Sequence, residues 1–281
     1  MKILIFSHEF PPRGGGAGSV AYQYCLSLIK EGYLVTLLTR SQSHFPDELR
    51  DVNIIEVKYI PKIWFLPYFF RLKNIDLEKF DVIILNDIAS GYIAGRFFKD
   101  KALEKCMPVL HGSEPENIFI APSKWFRVVN FDKYYFKVLN KSKNIIAVSL
   151  YMKEKFLDET PFEDSKKIKV VYSGLSSNFF KETQIDCNHA LDLQGREVIL
   201  TVSRVEKMKG FLDMYTVFKK LLKIDKGYIW VIVGDGGFKK EFERLVGMDG
   251  MGSSIIFKGA VPRVELYKYY KCADVFWLLS K

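Results

Sequence analysis

The sequence predicts an α/β protein with two parallel-sheet domains, and three observations carry this prediction. Short, nearly continuous apolar segments alternate with segments of helical periodicity along the 281 residues, which is the pattern of βαβ units. A glycine-rich loop follows the first apolar segment and opens onto a helix. The strand–loop–helix pattern then restarts after about residue 195. We therefore expect two Rossmann-like domains, for which the length is sufficient.

The first half contains six expected strands and three expected helices. Each strand is a short apolar segment, and each helix places apolar residues three or four positions apart. Gly32 gives the first helix a typical C-terminal stop. The expected strands cover residues 3–6, 34–38, 54–57, 82–85, 109–110 and 145–148, and the expected helices cover residues 19–30, 89–98 and 150–157.

The second half repeats this alternation after a stretch of glycine, serine and asparagine with little periodicity. Its last strand is followed at once by the end of the sequence, so we expect this domain to be incomplete. The expected strands are 198–202, 229–233, 255–257 and 275–279, with helices over 211–222, 238–245 and 264–270. The predicted domains are residues 1–172 and 196–281, joined by a linker over 173–195.

Charge, cysteine spacing and the length of apolar runs limit which partners and which cellular compartment are expected for this protein. The net charge of +9 favours anionic partners, namely nucleic acid, anionic lipid or phosphorylated substrates. The four cysteines lie far apart without a C-x-x-C pair, which argues against a zinc site or a redox dithiol and favours reduced thiols in a cytosolic protein. The first apolar run is too short for a signal peptide, and no run of 18 apolar residues predicts a membrane-spanning helix.

The glycines at 14, 15, 16 and 18 precede the first helix, where backbone N–H groups and the positive end of the dipole favour a phosphate. A flexible turn is the plainer alternative. The dinucleotide fingerprint fits poorly, because Ser19 occupies its third glycine position and Thr39-Arg40 stands where an acid would hold a ribose. A nicotinamide-dependent sugar oxidoreductase or epimerase is therefore the weaker hypothesis.

The loop Pro11-Pro12-Arg13-Gly14-Gly15-Gly16 resembles the P-P-x-x-G-G loop of family 4 retaining glycosyltransferases, which have two Rossmann-like domains in the GT-B arrangement. Further segments resemble motifs of that family in the same order. They are FDVII at 80–84, HG at 111–112, IAVS at 146–149, KIKVVYSG at 167–174, VSRVEKMKG at 202–210, VIVGDG at 231–236, IFKG at 256–259 and CADV at 272–275. Two departures are Ser173 for the usual Asn and Ser203 for the usual Gly.

The resemblance implies transfer from a nucleotide sugar, UDP- or GDP-linked, with retention of configuration, in a cleft between the domains. Arg204 and Lys209 would stabilise the departing diphosphate in place of a metal, so neither a metal nor another cofactor is expected. Lys207 is the competing candidate, but Gly210 favours Lys209. Gly15 and Gly16 would offer N–H groups to the donor.

The remaining candidate residues follow from the same resemblance. His111 would contact the donor sugar, although a lone histidine at a strand end is often structural. Gly234, Asp235 and Val261 are expected on the donor side. Two acids at strand ends, Glu9 and Asp87, are acceptor-side candidates, equally compatible with structural carboxylates. The family's E-x7-E motif would begin just after Lys281, so part of the donor site is expected to be missing from this sequence.

Two stretches combine aromatic and cationic residues, 59–73 and 118–143. This combination favours the interface of an anionic bilayer, although aromatic core residues beside an ordinary charged face would read the same way. We therefore expect a lipid-linked or oligosaccharide acceptor, a role in polysaccharide or lipopolysaccharide synthesis, and a cytoplasmic protein peripheral to the inner face of the membrane. A non-catalytic nucleotide-binding domain pair is the other alternative. No recognition module supports nucleic-acid binding.

Overall fold

The computed structural model describes residues 1–12, 15–174, 185, 187, 195–262 and 265–280. It divides into two compact units, Met1–Gly174 and Leu175–Lys281. In both units, parallel strands alternate with helices, as the apolar periodicity predicts.

The first unit contains a seven-stranded parallel sheet in the order β3-β2-β1-β4-β5-β6-β7. Its strands are β1 Lys2–Phe6, β2 Leu34–Arg40, β3 Asn53–Val57, β4 Val82–Leu85, β5 Cys106–Leu110, β6 Ile145–Ala147 and β7 Ile168–Val170. Its α-helices are α1 Gly16–Lys30, α2 Phe65–Leu72, α3 Ile88–Phe97, α4 Asp100–Leu103, α5 Lys124–Val128, α6 Phe131–Lys141 and α7 Leu150–Glu159. Short 3-10 turns at Asp47–Leu49, Leu77–Lys79 and Ser165–Lys167 and a π-helical turn at Pro115–Ile120 complete it.

Helices cover both faces of this sheet, because successive side chains of a strand point to opposite faces. Leu4 and Phe6 of β1 belong to the core on the side of α3 and α6. Ile3 and Ile5 belong to the other core, which also contains Ala21 and Cys25 of α1.

The second unit contains a four-stranded parallel sheet in the order β10-β9-β8-β11. The strands are β8 Glu197–Val202, β9 Tyr228–Val233, β10 Ile255–Gly259 and β11 Val275–Phe276, and the helices are α8 Phe211–Ile224, α9 Lys239–Met248 and α10 Leu266–Lys271, with a 3-10 turn at Lys207–Lys209. Trp230 of β9 is fully buried, and its indole N–H donates to Thr201 Oγ1 at 3.0 Å. The Thr201 hydroxyl in turn donates to the Trp277 carbonyl oxygen at 2.9 Å, which ties β9 to β8 and to the segment after β11.

Most expected elements differ from the observed ones by one to three residues at an end, as three examples show. Helix α1 begins at Gly16 rather than at residue 19, because glycine is tolerated in a first turn that packs close to neighbouring backbone. Strand β11 ends at Phe276 rather than at residue 279. The helix expected from residue 264 is Leu266–Lys271, and residues 263 and 264 lie outside the described part. The aromatic stretches, for which no elements were predicted, contain α2, α5 and α6.

The expectation of four reduced cysteines is wrong for one pair. Cys187 and Cys272 form a disulfide with a Cα–Cα distance of 5.3 Å, although they are 85 residues apart in sequence. Spacing along the chain could not reveal this proximity. Cys25 and Cys106 are free and buried, and burial raises the pKa of the Cys25 thiol to about 12. None of the described helices is long and apolar enough to cross a membrane.

Two glycines let α3 lie directly against α6. A Cβ at Gly95 would lie 1.9 Å from the Tyr134 carbonyl oxygen, and a Cβ at Gly91 would lie 2.5 Å from the Tyr135 ring. We therefore expect Gly95→Ala to lower the free energy of unfolding of the first unit by about 1–3 kcal/mol, because the helices must separate. Urea unfolding followed by circular dichroism measures this loss.

Gly247→Ala is the matched control, since Gly247 is also a helical glycine and a Cβ added there would meet nothing within 4 Å. Alanine favours a helix over glycine, so this change should leave the stability unchanged or raise it by about 0.5–1 kcal/mol. Equal stability of Gly95→Ala and the wild type would contradict the close packing of α3 on α6.

Candidate functional site

A row of polar and aromatic residues follows the carboxyl ends of the strands of the first sheet. Phe6 of β1 lies opposite Leu38 of β2 and Leu85 of β4. Two residues further along each strand direction stand His8, Arg40 and Asp87. The strand order turns at β1 and β4, with β2 and β3 on one side and β5 to β7 on the other. In open α/β sheets, ligands bind in the crevice at such a turning point.

Asp87 lies at the centre of this row and is almost fully buried. Its Oδ1 accepts the N–H of Ser90 at 2.7 Å, which caps α3. Its Oδ2 accepts the N–H of Glu9 at 2.9 Å and the hydroxyl of Ser7 at 3.2 Å. Both carboxylate oxygens are therefore engaged in holding the loop after β1 against α3, which gives this predicted acceptor contact a positioning role.

His111 follows β5, and its ring position is fixed by a backbone contact. Its Nε2 lies 2.7 Å from the carbonyl oxygen of Asn86. Because a carbonyl oxygen only accepts, Nε2 carries the proton in this contact, and in the neutral ring Nδ1 has the lone pair. The imidazole is half-buried, and the contact of Nε2 with Asn86 fixes the orientation of the ring.

Glu114 supports His111 and was not found from the sequence. The side chain is 1% exposed, and its two oxygens accept the N–H groups of His111 at 2.8 Å and Gly112 at 2.7 Å. A buried carboxylate with two charge-assisted hydrogen bonds fixes the turn that follows β5. The H-G-x-E spacing was the signal, since an acid three residues after the histidine of such a turn can reach back to the turn backbone.

The glycine loop joins β1 to α1, and Arg13 and Gly14 lie outside the described residues. The N–H of Gly15 donates to Glu9 Oε2 at 2.9 Å, so this carboxylate occupies one donor that was predicted for a diphosphate. Gly16 starts α1, whose described first turn contains no acidic residue and whose N-cap makes no side-chain hydrogen bond. At Gly18 a Cβ would lie 3.1 Å from the backbone of Glu9 and Phe10, so glycine lets α1 approach this loop closely.

His8 and the aromatic residues around it form a second cluster that sequence reasoning missed. Its Nδ1 lies 3.0 Å from the Tyr68 hydroxyl, and its ring contacts the rings of Tyr59, Trp64 and Tyr68 at 5.5–5.8 Å between centroids. Burial lowers the pKa of His8, an effect that Asp87 opposes and Arg40 reinforces. The imidazole is therefore neutral at pH 7.

The candidate cations of the second unit lie in the loop after β8. The Lys207 ammonium forms an ion pair with Glu241 at 3.1 Å and lies over the Phe238 ring. The Lys209 ammonium is 3.4 Å from Ser280 Oγ, and Arg204 is exposed. Within residues 195–262 and 265–280, neither Arg204 nor Lys209 forms an ion pair. The two lysines therefore differ in their contacts: Lys207 has an acidic partner, and Lys209 has none among these residues.

Glycines pack this loop against the segment after β11 and against the loop after β9. A Cβ at Gly210, where φ is +73°, would lie 2.1 Å from the Leu279 carbonyl oxygen, and one at Gly234, where φ is +141°, would lie 1.9 Å from the Ser203 carbonyl oxygen. Glycine is required at both positions on conformational and steric grounds. The loop that carries Arg204 and Lys209 is therefore anchored at both ends.

The other predicted donor residues lie in the same part of the second unit. The Asp235 carboxylate accepts the N–H of Gly236 at 2.8 Å and remains largely exposed. Val261 is half-buried and packs against the core that includes Val231 and Val233. The structure thus brings Glu9, Asp87 and His111 to one sheet edge and Arg204, Lys209, Gly234 and Asp235 to loops of the other unit. No group of three or more described His, Cys, Asp or Glu side chains is placed to hold a metal ion.

Two family models match the chain. The model described as Glycosyltransferase Family 4 matches residues 14–179, and the model described as Glycosyl transferases group 1 matches residues 188–281. An uncharacterized glycosyltransferase of Methanocaldococcus jannaschii is 26% identical over 98% of this chain and 73% of its own length. An uncharacterized 41.2 kDa protein in the cps region of Klebsiella pneumoniae is 26% identical over 75% of this chain and 56% of its own length.

Solved structures of glycosyltransferases share the fold at low sequence identity. Anabaena HepE in complex with UDP and glucose superposes with a TM-score of 0.75 at 17% identity, over 100% of this chain and 74% of that one. WaaG, a glycosyltransferase involved in lipopolysaccharide biosynthesis, superposes with a TM-score of 0.70 at 12% identity, over 99% of this chain and 75% of that one. These similarities and the predicted motifs lead to the same assignment. The chain belongs to Glycosyltransferase Family 4 and has the GT-B type of fold, with a parallel sheet in each of its two units.

Proposed function

We propose that this glycosyltransferase transfers a hexosyl group, with retention of configuration, from a UDP- or GDP-linked donor to a lipid-linked glycan in cell-surface polysaccharide synthesis. The observation that carries the proposal is the anchored loop after β8, where Arg204 and Lys209 lack an acidic partner among the described residues while Lys207 has one. A site for an anionic leaving group needs such uncompensated cations.

The chemistry assigned to these cations is stabilisation of the leaving group. As the bond from the anomeric carbon to the diphosphate breaks, negative charge develops on the phosphate oxygens. A guanidinium binds two such oxygens as a planar fork, and an ammonium binds as a point charge. Because the backbone of the loop that carries both cations is anchored by Gly210 and Gly234, this backbone needs little reorganisation when the charge appears. The proposal therefore includes no metal and no cofactor besides the donor.

His111 is proposed to contact the donor sugar through Nδ1. The contact of Nε2–H with the Asn86 carbonyl leaves Nδ1 as an acceptor for a sugar hydroxyl. The N–H groups at the start of α1 are proposed to face the donor phosphates, with the Gly15 N–H released by Glu9 when a diphosphate arrives. Retention is proposed to follow front-face attack, in which the departing phosphate takes the proton of the acceptor hydroxyl.

Membrane association is proposed from the exposed part of the first aromatic stretch. Phe65 and Tyr68 are core residues, whereas Ile60, Ile63 and Phe70 are 38–62% exposed. They border an open groove of about 540 Å³ on the outer side of α2, whose rim includes cations. The groove is lined by Glu56, Val57, Lys58, Ile60, Ile63, Leu66, Pro67, Phe70, Arg71 and Asn74. Apolar side chains flanked by cations suit an anionic bilayer interface and a cytoplasmic protein peripheral to it.

The second stretch contributes fewer such residues. Phe131 and Tyr135 are buried, while Ile120, Trp125 and Val128 are 39–71% exposed near Lys124 and Arg127. The neighbours support the wider proposal through what is known of them: HepE was crystallised with UDP-glucose, and S. aureus TarM with UDP and α-GlcNAc-glycerol. WaaG, which is involved in lipopolysaccharide biosynthesis, supports the proposed role in the synthesis of a surface glycan.

We expect Lys209→Ala to weaken nucleoside-diphosphate binding by at least about 1 kcal/mol, because a charge-assisted contact is lost. A thermal-shift panel with UDP, GDP, ADP, CMP and NAD first identifies the base, and isothermal titration then gives the Kd. A thermal shift with NAD alone would instead favour the nicotinamide-dependent oxidoreductase.

Lys207→Ala is the control for this change, because the Lys207 ammonium already pairs with Glu241. It should leave the Kd close to the wild-type value. An unchanged Kd for Lys209→Ala, or an equal loss for both variants, would remove Lys209 from the proposed donor site.

A second test concerns His111. We expect His111→Ala to lower kcat about 100-fold or more if the ring contacts the sugar in the transition state. The Kd of the nucleoside diphosphate should change little, since the histidine is not proposed to touch phosphate. His44→Ala is the control, because His44 is exposed in the loop after β2. Full turnover by His111→Ala would contradict the assignment.

A third test addresses the membrane surface. Phe70→Ser should weaken binding to vesicles that contain phosphatidylglycerol by about 1.5–3 kcal/mol, the contribution of a fully buried aromatic side chain. Cosedimentation across a lipid titration measures it. Met248→Ser removes a similarly exposed apolar side chain from the second unit and should have no effect. Equal partitioning of Phe70→Ser and wild type would exclude this face as the membrane contact.

A further inference from the structure

Unsatisfied buried polar atoms concentrate at the carboxyl edge of the first sheet. Four buried side-chain nitrogen or oxygen atoms lack a hydrogen-bond partner among the described residues: Thr39 Oγ1, Arg40 Nε, Asn86 Oδ1 and Glu116 Oε2. Three of the four belong to the ends of β2 and β4, on either side of β1. Successive side chains of a strand point to opposite faces, so Thr39 and Asn86 lie on the face covered by α1, whereas Arg40 lies on the other face, beside Tyr59. A native structure rarely leaves a buried polar atom unpaired, so the Arg40 nitrogen points to a missing ligand on that face.

Arg40 is the charged member of this group, and its guanidinium lies flat against the ring of Tyr59 at 3.7 Å from the ring centroid. No ion pair involves Arg40 in the described part of the chain. The neighbouring carboxylates bond to other groups. Asp87 accepts hydrogen bonds from Ser7, Glu9 and Ser90. Glu56 accepts the N–H of Gln42 at 3.3 Å. Arg40 thus has no direct ionic partner among the described residues, and its unpaired Nε–H remains available to an anionic ligand.

The neighbours of Arg40 limit what kind of anion would fit. His8 is neutral at pH 7 and can exchange a hydrogen bond with a hydroxyl. The half-buried rings of Tyr59 and Trp64, which both contact His8, provide apolar surface with polar edges. A bare inorganic anion would use only the guanidinium. A sugar ring bearing an oxyanion would use the guanidinium, the imidazole and the aromatic surface together.

We propose that Arg40, His8, Tyr59 and Trp64 form a subsite for a negatively charged sugar, carrying either a phosphate or a carboxylate, on the acceptor side of the site. This inference rests on the proposed function for its assignment to the acceptor, and it deepens it by naming the acceptor's charge. The subsite belongs entirely to the first unit and is distinct from Arg204 and Lys209, which are proposed to bind the donor phosphates.

The test uses the ring signals of the four histidines, labelled with ¹³C at Cε1, in the full chain saturated with UDP or GDP. The probes are α-D-glucose 1-phosphate, D-glucuronate and uncharged methyl α-D-glucopyranoside. At least one of the two charged probes should shift the His8 signal in a saturable way and leave the His44 signal unmoved. The charged probe that binds more tightly shows whether the subsite prefers a phosphate or a carboxylate. The uncharged sugar should bind more weakly.

Arg40→Gln should raise the Kd of the charged probe about tenfold, which corresponds to about 1.4 kcal/mol, and leave that of the uncharged sugar unchanged. Arg50→Gln, which removes an exposed arginine of the same unit, should leave both Kd values unchanged. Tyr59→Leu keeps an apolar side chain at this position while removing the ring that lies against the guanidinium, and should also weaken binding of the charged probe.

Two results would overturn the subsite. One is a His8 signal that neither charged probe moves, and the other is an affinity for the charged probe that Arg40→Gln leaves unchanged. Failure of the proposed function would look different, because it would be the absence of nucleoside-diphosphate binding by the wild type. If the wild type does not bind nucleotide, the shift of the His8 signal is measured without nucleotide. Failure of the subsite and failure of the proposed function can therefore be told apart.

Discussion

The Asp87 carboxylate is the contact on which the carboxyl edge of the first sheet depends. One oxygen caps α3, and the other holds the backbone of Glu9 and the hydroxyl of Ser7. Through these bonds the end of β4 fixes the loop after β1. The hydrogen bond from Asn86 Nδ2 to the Ala17 carbonyl at 2.8 Å extends the connection to α1. The polar groups at this edge therefore occupy fixed positions before any ligand binds, which is the condition for electrostatic stabilisation without reorganisation.

Burial explains which parts of this arrangement were predictable. The strands are apolar because helices cover both faces of each sheet, so the positions of most strands can be predicted from short runs of apolar residues. Helix starts were harder: α1 begins within the glycines, because Gly18 has to approach the backbone of Glu9. His111 was chosen through the H-G motif and Lys209 through the glycine that follows it, and their roles in the site stay predictions.

Long-range contacts explain what the sequence did not reveal. Arg40 and His8 are 32 positions apart, and only the parallel register of β1 and β2 makes them neighbours. Only its spacing from His111 distinguishes Glu114 in the sequence, and its role becomes clear when its carboxylate is seen to accept two backbone N–H groups. Likewise, the sequence does not show which aromatic residues of the two stretches are buried. Packing places some in the core, such as Tyr135, and leaves others exposed, such as Phe70.

The disulfide between Cys187 and Cys272 has a consequence for limited proteolysis. It closes a covalent ring that contains β8, β9 and β10 together with the loops that carry Arg204, Lys209 and Gly234. A single peptide-bond cleavage inside this ring leaves both fragments covalently joined, and they separate on a denaturing gel only after reduction. Cleavage between residue 174 and Cys187 releases the second unit with its ring closed. Comparing digests with and without reductant therefore reveals on which side of Cys187 a protease has cut.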